Sequence, residues 1–260
     1  MSGRTSSAPT GRKIVVVGAS GRMGALFMEW GAKAGFNMVA LNRPYANVAE
    51  ICADAGMAIV SVPAKAFADV LNVIVPHLPP DAILTDVISV KESPLRQMQK
   101  IWEGEIVGTH PLFGPKNEPG DDLPVAIVPG KNASPESVRM VEDFYKAIGC
   151  RVFRTTAQKH DEAVARIQNL NFVTNLAYFA ALADQKELLP FLTPSFERRK
   201  KSAAKMLTED AEMFAGLFDA NPHSHEAARE YRKMLNIAAS GDIELLCHRA
   251  RWWWPEKGKE

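Results

Sequence analysis

Between Lys13 and about Thr155 the chain alternates short runs of consecutive apolar residues with longer stretches whose apolar positions recur at helical spacing. That alternation predicts a parallel sheet joined by crossover helices. A strand buried on both faces reads as a continuous apolar run, whereas a helix burying one face repeats about every 3.6 residues. Lys13 to Val17 reads as the first strand. A helix over Gly21 to Ala34 follows, with Met23, Leu26, Phe27 and Trp30 on one stripe and Gly35 where a C-terminal cap belongs. Met38 to Leu41, Met57 to Val62 and Ala82 to Val87 supply further strands. Between the last two, Phe67, Val70, Leu71 and Ile74 mark a helix closed by the turn-forming His77 to Asp81 segment. Later strands are expected at Ile106 and Val107, at Val125 to Val128, and at Arg151 to Arg154.

After Thr156 the strand pattern stops and glycines become sparse, so the remainder reads as helical. A helix starting near His160 carries Val164, Ile167, Leu170, Val173, Leu176 and Phe179, an apolar face too wide for a small domain to cover alone. It is expected to pack across a homodimer interface. Trp252, Trp253 and Trp254 are expected to close a core or a dimer seam.

Composition narrows the partners. With 260 residues, 47% of them hydrophobic and 23% charged, the chain suits one compact domain plus a second, smaller one. A net charge of +1 provides no basic field for nucleic acid or an anionic membrane, so a small-molecule substrate is expected. No apolar run approaches the length of a membrane span. Cys52, Cys150 and Cys247 lie far apart in no metal-binding or disulfide spacing, which points to no metal and a reducing cytoplasm. The first dozen residues are polar and Ser/Arg-rich without the apolar centre of a secretory signal, and read as a disordered tail.

Candidate chemistry follows the strands. Gly18-Ala19-Ser20-Gly21-Arg22-Met23-Gly24 leaves the first strand and opens the first helix, the setting a dinucleotide fingerprint needs. Glycines there let the backbone approach a pyrophosphate, and the helix N-terminus offers free N–H groups to it. The fold class is therefore α/β, a Rossmann-type doubly wound parallel sheet followed by an all-helical dimerisation domain. Its expected boundaries are a tail at 1–12, the dinucleotide-binding domain at 13–156 and a helical substrate domain at 157–260. At the end of the second strand, where NAD enzymes present a carboxylate to the ribose, stand Asn42 and Arg43. Arg43 suits a 2′-phosphate, so NADP is favoured over NAD.

His110 sits in the segment GTHPLFGPK, Gly108 to Lys116, which two prolines and two glycines mark as a rigid loop after a strand. An imidazole placed there suits a general base. Ser89, in TDVISVK at Thr85 to Lys91, also follows a strand, and suits both an N-cap and a substrate contact.

Taken together, these segments resemble the prephenate dehydrogenase family, and above all the dehydrogenase part of bifunctional chorismate mutase/prephenate dehydrogenases. The resemblance rests on the glycine turn, VSVP at Val60 to Pro63, D-x-x-SVK at Asp86 to Lys91, HPLFGP at His110 to Pro115, His160-Asp161, and LTPSFERR in the second half. It implies oxidative decarboxylation of prephenate to 4-hydroxyphenylpyruvate, with His110 accepting the ring-hydroxyl proton and Ser89 orienting it. It further implies that Val62, Pro63 and Asp86 join the cofactor site and that His160, Gln168 and Lys205 contact substrate. Two positions depart from the family pattern: Lys205 stands where an arginine would hold a carboxylate, and Phe172 replaces a histidine. A prephenate dehydratase reaction giving phenylpyruvate, oxidation of 4-amino-4-deoxyprephenate, and a noncatalytic sensor stay open as alternatives. Dihydrodipicolinate reductase shares a GRMG-like turn, but its paired histidine and lysine signature is missing.

Overall fold

The computed structural model describes residues 11–116 and 120–254, so most of the tail expected at 1–12 lies outside the described residues. The chain divides into two compact units, Met1–His160 and Asp161–Glu260.

In the first unit strands and helices alternate: β1 (Lys13–Val17), α1 (Arg22–Lys33), β2 (Met38–Leu41), α2 (Val48–Cys52), β3 (Ala55–Val60), α3 (Ala64–Ile74), β4 (Ile83–Asp86) and α4 (Glu92–Ile101). Then come β5 (Val107–Pro111), β6 (Pro124–Pro129), α5 (Pro135–Ala147) and β7 (Arg151–Arg154). Four strands pair in parallel in the order β2-β1-β3-β4. A parallel bridge between Leu84 and Ile106 carries that sheet on to a three-stranded one, β5-β6-β7.

One detail departs from the expected parallel sheet, because β5 and β6 pair antiparallel. Between Pro111 and Pro124 the chain carries Gly114, Pro115, Pro119 and Gly120, which leave no stretch able to form a crossover helix. A return without a crossover must be antiparallel. His110 consequently lies inside β5, opposite Ala126, rather than in a loop after the strand.

Alternation along β1 explains the doubly covered sheet. Ile14 and Val16 join a core with Phe27 of α1 and Val138, Val141, Phe144 and Tyr145 of α5. Val15 and Val17 point the other way, yet are equally buried. Phe27 meets Tyr145 edge to face with centroids 5.9 Å apart, locking α1 to α5 across that core. Burying each such side chain contributes about 1.5–3 kcal/mol.

The second unit is helical. Helix α6 (Ala157–Val164) crosses the unit boundary and continues through a π-helical turn, Ala165–Asn169, into α7 (Leu170–Ala181). There follow α8 (Pro194–Thr208), α9 (Ala211–Ala220), α10 (Ser224–Ala239) and α11 (Ile243–Ala250). Polar anchors tie them: Asn221 Nδ2 donates to the Asp161 carbonyl at 2.8 Å, and Asn169 Nδ2 to Ser224 Oγ at 2.8 Å. Within this unit Ile167 is 61% exposed and Leu176 is exposed too, so both lack apolar cover among the described residues. The three tryptophans close no core of this chain: Trp252 and Trp254 are each 74% exposed. Among the described residues no helix is long and apolar enough to cross a membrane.

Candidate active site

Because β1 to β4 are parallel and β5 is bridged in parallel to β4, the segments leaving β1, β2, β3, β4 and β5 emerge at one edge of the sheet. This carboxyl edge is where open α/β sheets present ligands.

The glycine turn after β1 is shaped by close approaches. Gly18 has φ +83°, and a Cβ there would lie 2.4 Å from the Ser61 carbonyl oxygen and 2.9 Å from a Val62 methyl. A Cβ on Gly24 would lie 2.2 Å from the Gly18 carbonyl oxygen, so only glycine lets α1 start against the turn. Gly21 stands at the N-cap without a side-chain cap bond, and no acidic residue occupies the first turn. The N–H groups and the positive end of α1 therefore suit an anion, and the cradle fits a dinucleotide pyrophosphate. Ala19 is buried beneath the turn, Met23 half-buried, and Ser20 and Arg22 exposed.

Asn42 takes a defined part in this cradle. Its Oδ1 accepts the Ser20 N–H at 2.9 Å, tying the segment after β2 to the glycine turn. Arg43 beside it is exposed, as is Pro63 at the start of α3. Asp86, the last residue of β4, and Lys91 are wholly buried as an ion pair, with the Ile88 N–H donating to Asp86 Oδ2 at 3.0 Å. Burial pushes the Asp86 carboxyl up, against the opposing pull of the Lys91 ammonium.

That buried pair is tied to β5. Lys91 Nζ also donates to the Thr109 carbonyl at 2.5 Å, the peptide that leads into His110. Thr109 Oγ1 donates to the Asp86 carbonyl at 2.5 Å and meets the Tyr145 hydroxyl at 2.8 Å. Sequence reading had Lys91 only as the last letter of a motif. Its position directly after Val87-Ile88-Ser89-Val90, a stretch with three apolar residues, was the available sign of burial.

His110 itself is 4% exposed, and its Nδ1 lies 2.9 Å from His160 Nε2. Burial, the neighbouring His160 ring and the Lys91 charge hold its imidazole well below the ordinary value of 6.5. At neutral pH it is thus an uncharged base. Ser89 lies half-buried on the segment after β4 and caps nothing, since α4 begins at Glu92 with Lys91 at the N-cap position.

Of the expected substrate contacts, His160 is brought to His110. Gln168 falls in the π-helical turn, half-buried, and Lys205 on α8 places Nζ 3.6 Å from Asp210 Oδ2. Both belong to the second unit. There Phe172 is buried and stacks on Phe214 with centroids 5.6 Å apart, so the departure from histidine is filled by aromatic packing.

Comparison with known proteins bears on the first unit directly: the family described as "Prephenate dehydrogenase, nucleotide-binding domain" matches residues 35–154, from the end of α1 through β7. That match covers 120 of the 260 residues, and similarity to curated relatives extends over most of the chain. The chain is similar to the T-protein of Enterobacter agglomerans, with 29% identity over 96% of this chain and 70% of that protein. The T-protein of Haemophilus influenzae is also 29% identical, over 79% of this chain, which spans only 55% of that relative's length. In three dimensions it resembles the prephenate dehydrogenase from A. aeolicus solved with hydroxyphenyl propionate and NAD+, with a TM-score of 0.77 and 19% identity over 92% of this chain and 95% of that one. These likenesses are to prephenate-type dehydrogenases and lend the dehydratase alternative no support.

Proposed function

We propose that the chain oxidises prephenate with NADP or NAD, releasing carbon dioxide and 4-hydroxyphenylpyruvate. The observation that carries this reading is the buried, uncharged His110 imidazole on the same sheet edge as the glycine cradle. A bound nicotinamide supplies the hydride acceptor. His110 takes the ring-hydroxyl proton as the carbinol carbon gives up hydride. The ring carboxylate leaves as carbon dioxide, its bonding pair completes the aromatic ring, and the proton returns to the phenolic oxygen. No net proton is released, so the chain's own task is to position the groups and hold that proton.

In this reading Gly18, Ala19, Ser20, Gly21, Arg22, Met23 and Gly24 form the pyrophosphate cradle, while Asn42, Arg43, Val62 and Pro63 flank the adenosine and nicotinamide ends. Arg43 meets a 2′-phosphate. Ser89 orients the hydroxyl, and the helical domain at 157–260 supplies Gln168 and Lys205 to the substrate carboxylates. The same domain pairs with a second copy through the face bearing Ile167 and Leu176, and the three free thiols suit a reducing cytoplasm.

The test is product analysis of the full chain with prephenate, run with NADP, with NAD and with neither. Reduced cofactor and 4-hydroxyphenylpyruvate are expected only when cofactor is present, and His110→Ala should lower kcat about 100- to 10,000-fold while the protein stays folded. Failure of prephenate to drive cofactor reduction, or oxidation of 4-amino-4-deoxyprephenate alone, overturns the substrate assignment.

A further inference from the structure

A general base in the place His110 occupies has a physical difficulty. Its ring is buried, and a lysine ammonium grips the peptide before it, so a positive charge arriving on that imidazole is poorly tolerated. Yet accepting the substrate proton creates such a charge. The 2.9 Å contact between His110 Nδ1 and His160 Nε2 answers it. Two imidazoles joined in this way share one hydrogen between them, and which ring holds it decides which nitrogen of His110 is bare.

We infer that His160 is a positioning and proton-sharing residue rather than a substrate contact: its Nε2 accepts the Nδ1–H of His110 and leaves the His110 Nε2 lone pair as the proton acceptor. The inference rests on the reading of His110 as the base and deepens it. If instead His160 donated, His110 would carry its hydrogen on Nε2, and the ring would face substrate as a donor unable to take a proton. With the inferred tautomer, the substrate hydroxyl proton forms a bond to His110 Nε2 while the Nδ1 hydrogen shifts toward His160 Nε2. Charge then spreads over two rings, and the reverse shift restores the resting state. No other reactant is needed.

The local structure gives His160 the rigidity this role requires. It lies in the first turns of α6, where its own N–H donates to the Thr156 carbonyl at 2.9 Å and the Lys159 N–H donates to the Thr156 hydroxyl at 3.3 Å. His110 is held on the facing side by pairing of β5 with β6. The two rings meet edge to face, with centroids 5.0 Å apart and planes at 69°, so Nε2 of one points at Nδ1 of the other.

Nitrogen NMR of the full-length protein labelled on histidine reads the tautomer directly, apart from any activity. His110 should show hydrogen on Nδ1 in the wild type, and lose that preference in His160→Phe. His160→Gln, whose side-chain oxygen can still accept, should restore it. In parallel, kcat with prephenate should fall about 10- to 100-fold in His160→Phe with KM changed less than about twofold, and recover in part in His160→Gln. Hydrogen on Nε2 of His110 in the wild type overturns the inference, as does a His160→Phe variant that keeps full kcat or loses its rate through KM. Should the tautomer be as stated while wild-type protein leaves prephenate untouched, the positioning role stands and the substrate assignment falls.

Discussion

Replacing Lys91 with methionine tests whether the buried ion pair is the floor of the site. Both side chains are fully buried, so Lys91→Met leaves the Asp86 carboxylate in the interior with backbone N–H groups of Ile88 and Thr109 beside it, and takes the ammonium off the Thr109 carbonyl. Breaking a buried pair from one side costs about 3–5 kcal/mol, against a total stability of about 5–15 kcal/mol for a typical domain. Removing both charges is far milder: Asp86→Asn with Lys91→Met should regain most of the loss, because no uncompensated charge remains. The sign with pH follows. Without the ammonium, burial outweighs the backbone hydrogen bonds from Ile88 and Thr109 and raises the folded-state value of Asp86 above the unfolded one, so the stability tied to the protonated form is present at low pH and lost as pH rises. The single variant's deficit should therefore shrink from pH 8 to pH 5, read as urea midpoints by circular dichroism. A single variant within about 1 kcal/mol of wild type, or a double variant no better than the single, would refute the reasoning. Activity adds a separate readout: the stable double variant should stay slow with prephenate, since the Thr109 carbonyl that leads into His110 has lost its anchor.

Other outcomes follow from single contacts. Asn42→Ala removes the acceptor of the Ser20 N–H, a hydrogen bond worth about 0.5–1.5 kcal/mol, so nucleotide Kd should rise about two- to tenfold; an unchanged Kd by calorimetry would show that the turn holds itself. Arg43→Ala should weaken NADP and spare NAD, and equal effects on both would remove the proposed 2′-phosphate contact. His110, held well below 6.5 when folded, binds its proton more readily in the unfolded chain, so its stabilising contribution is complete above pH 6.5 and is lost as pH falls below it. His110→Gln should flatten the slope of the unfolding midpoint between pH 6.5 and 5, and a slope identical to wild type would place that pH dependence elsewhere.

The first strand was legible because its burial is two-sided, Ile14 to Val17 all being buried; Met38–Leu41 and the largely exposed Arg151–Arg154 also fall at the expected positions. The glycines were legible for a related reason. Gly18 and Gly24 answer to backbone atoms only a few residues away or on the adjoining strand, and such close approaches exclude every side chain at once. The β5 direction was not legible from strand pattern, because parallel and antiparallel partners present the same apolar run; the prolines and glycines after Pro111 were the available sign. The π-helical turn at Ala165–Asn169 had none, since its residues read as ordinary helix.

Side chains whose work depends on a distant partner escaped more completely. A lysine in sequence reads as a solvated charge, and a composition near neutrality has no means of saying that one of its 31 basic residues lies wholly inside. The burial of Asp86 escaped for the same reason: a carboxylate at a strand end looks exposed until the lysine five residues on folds back over it. His160 stands 50 residues from His110, and only the meeting of α6 with β5 turns an apparent substrate ligand into a partner for the base. The departures from the family pattern in the second unit fit this division of labour. In the proposed reaction Lys205 and Phe172 would change what holds the substrate, whereas Asp86, Lys91, His110 and His160, linked by contacts within the first unit, would support the proton transfer. Binding preference can thus drift at the helical residues while the apparatus that moves the proton stays intact, so variants at Lys205 should act chiefly on KM and variants at His160 chiefly on kcat.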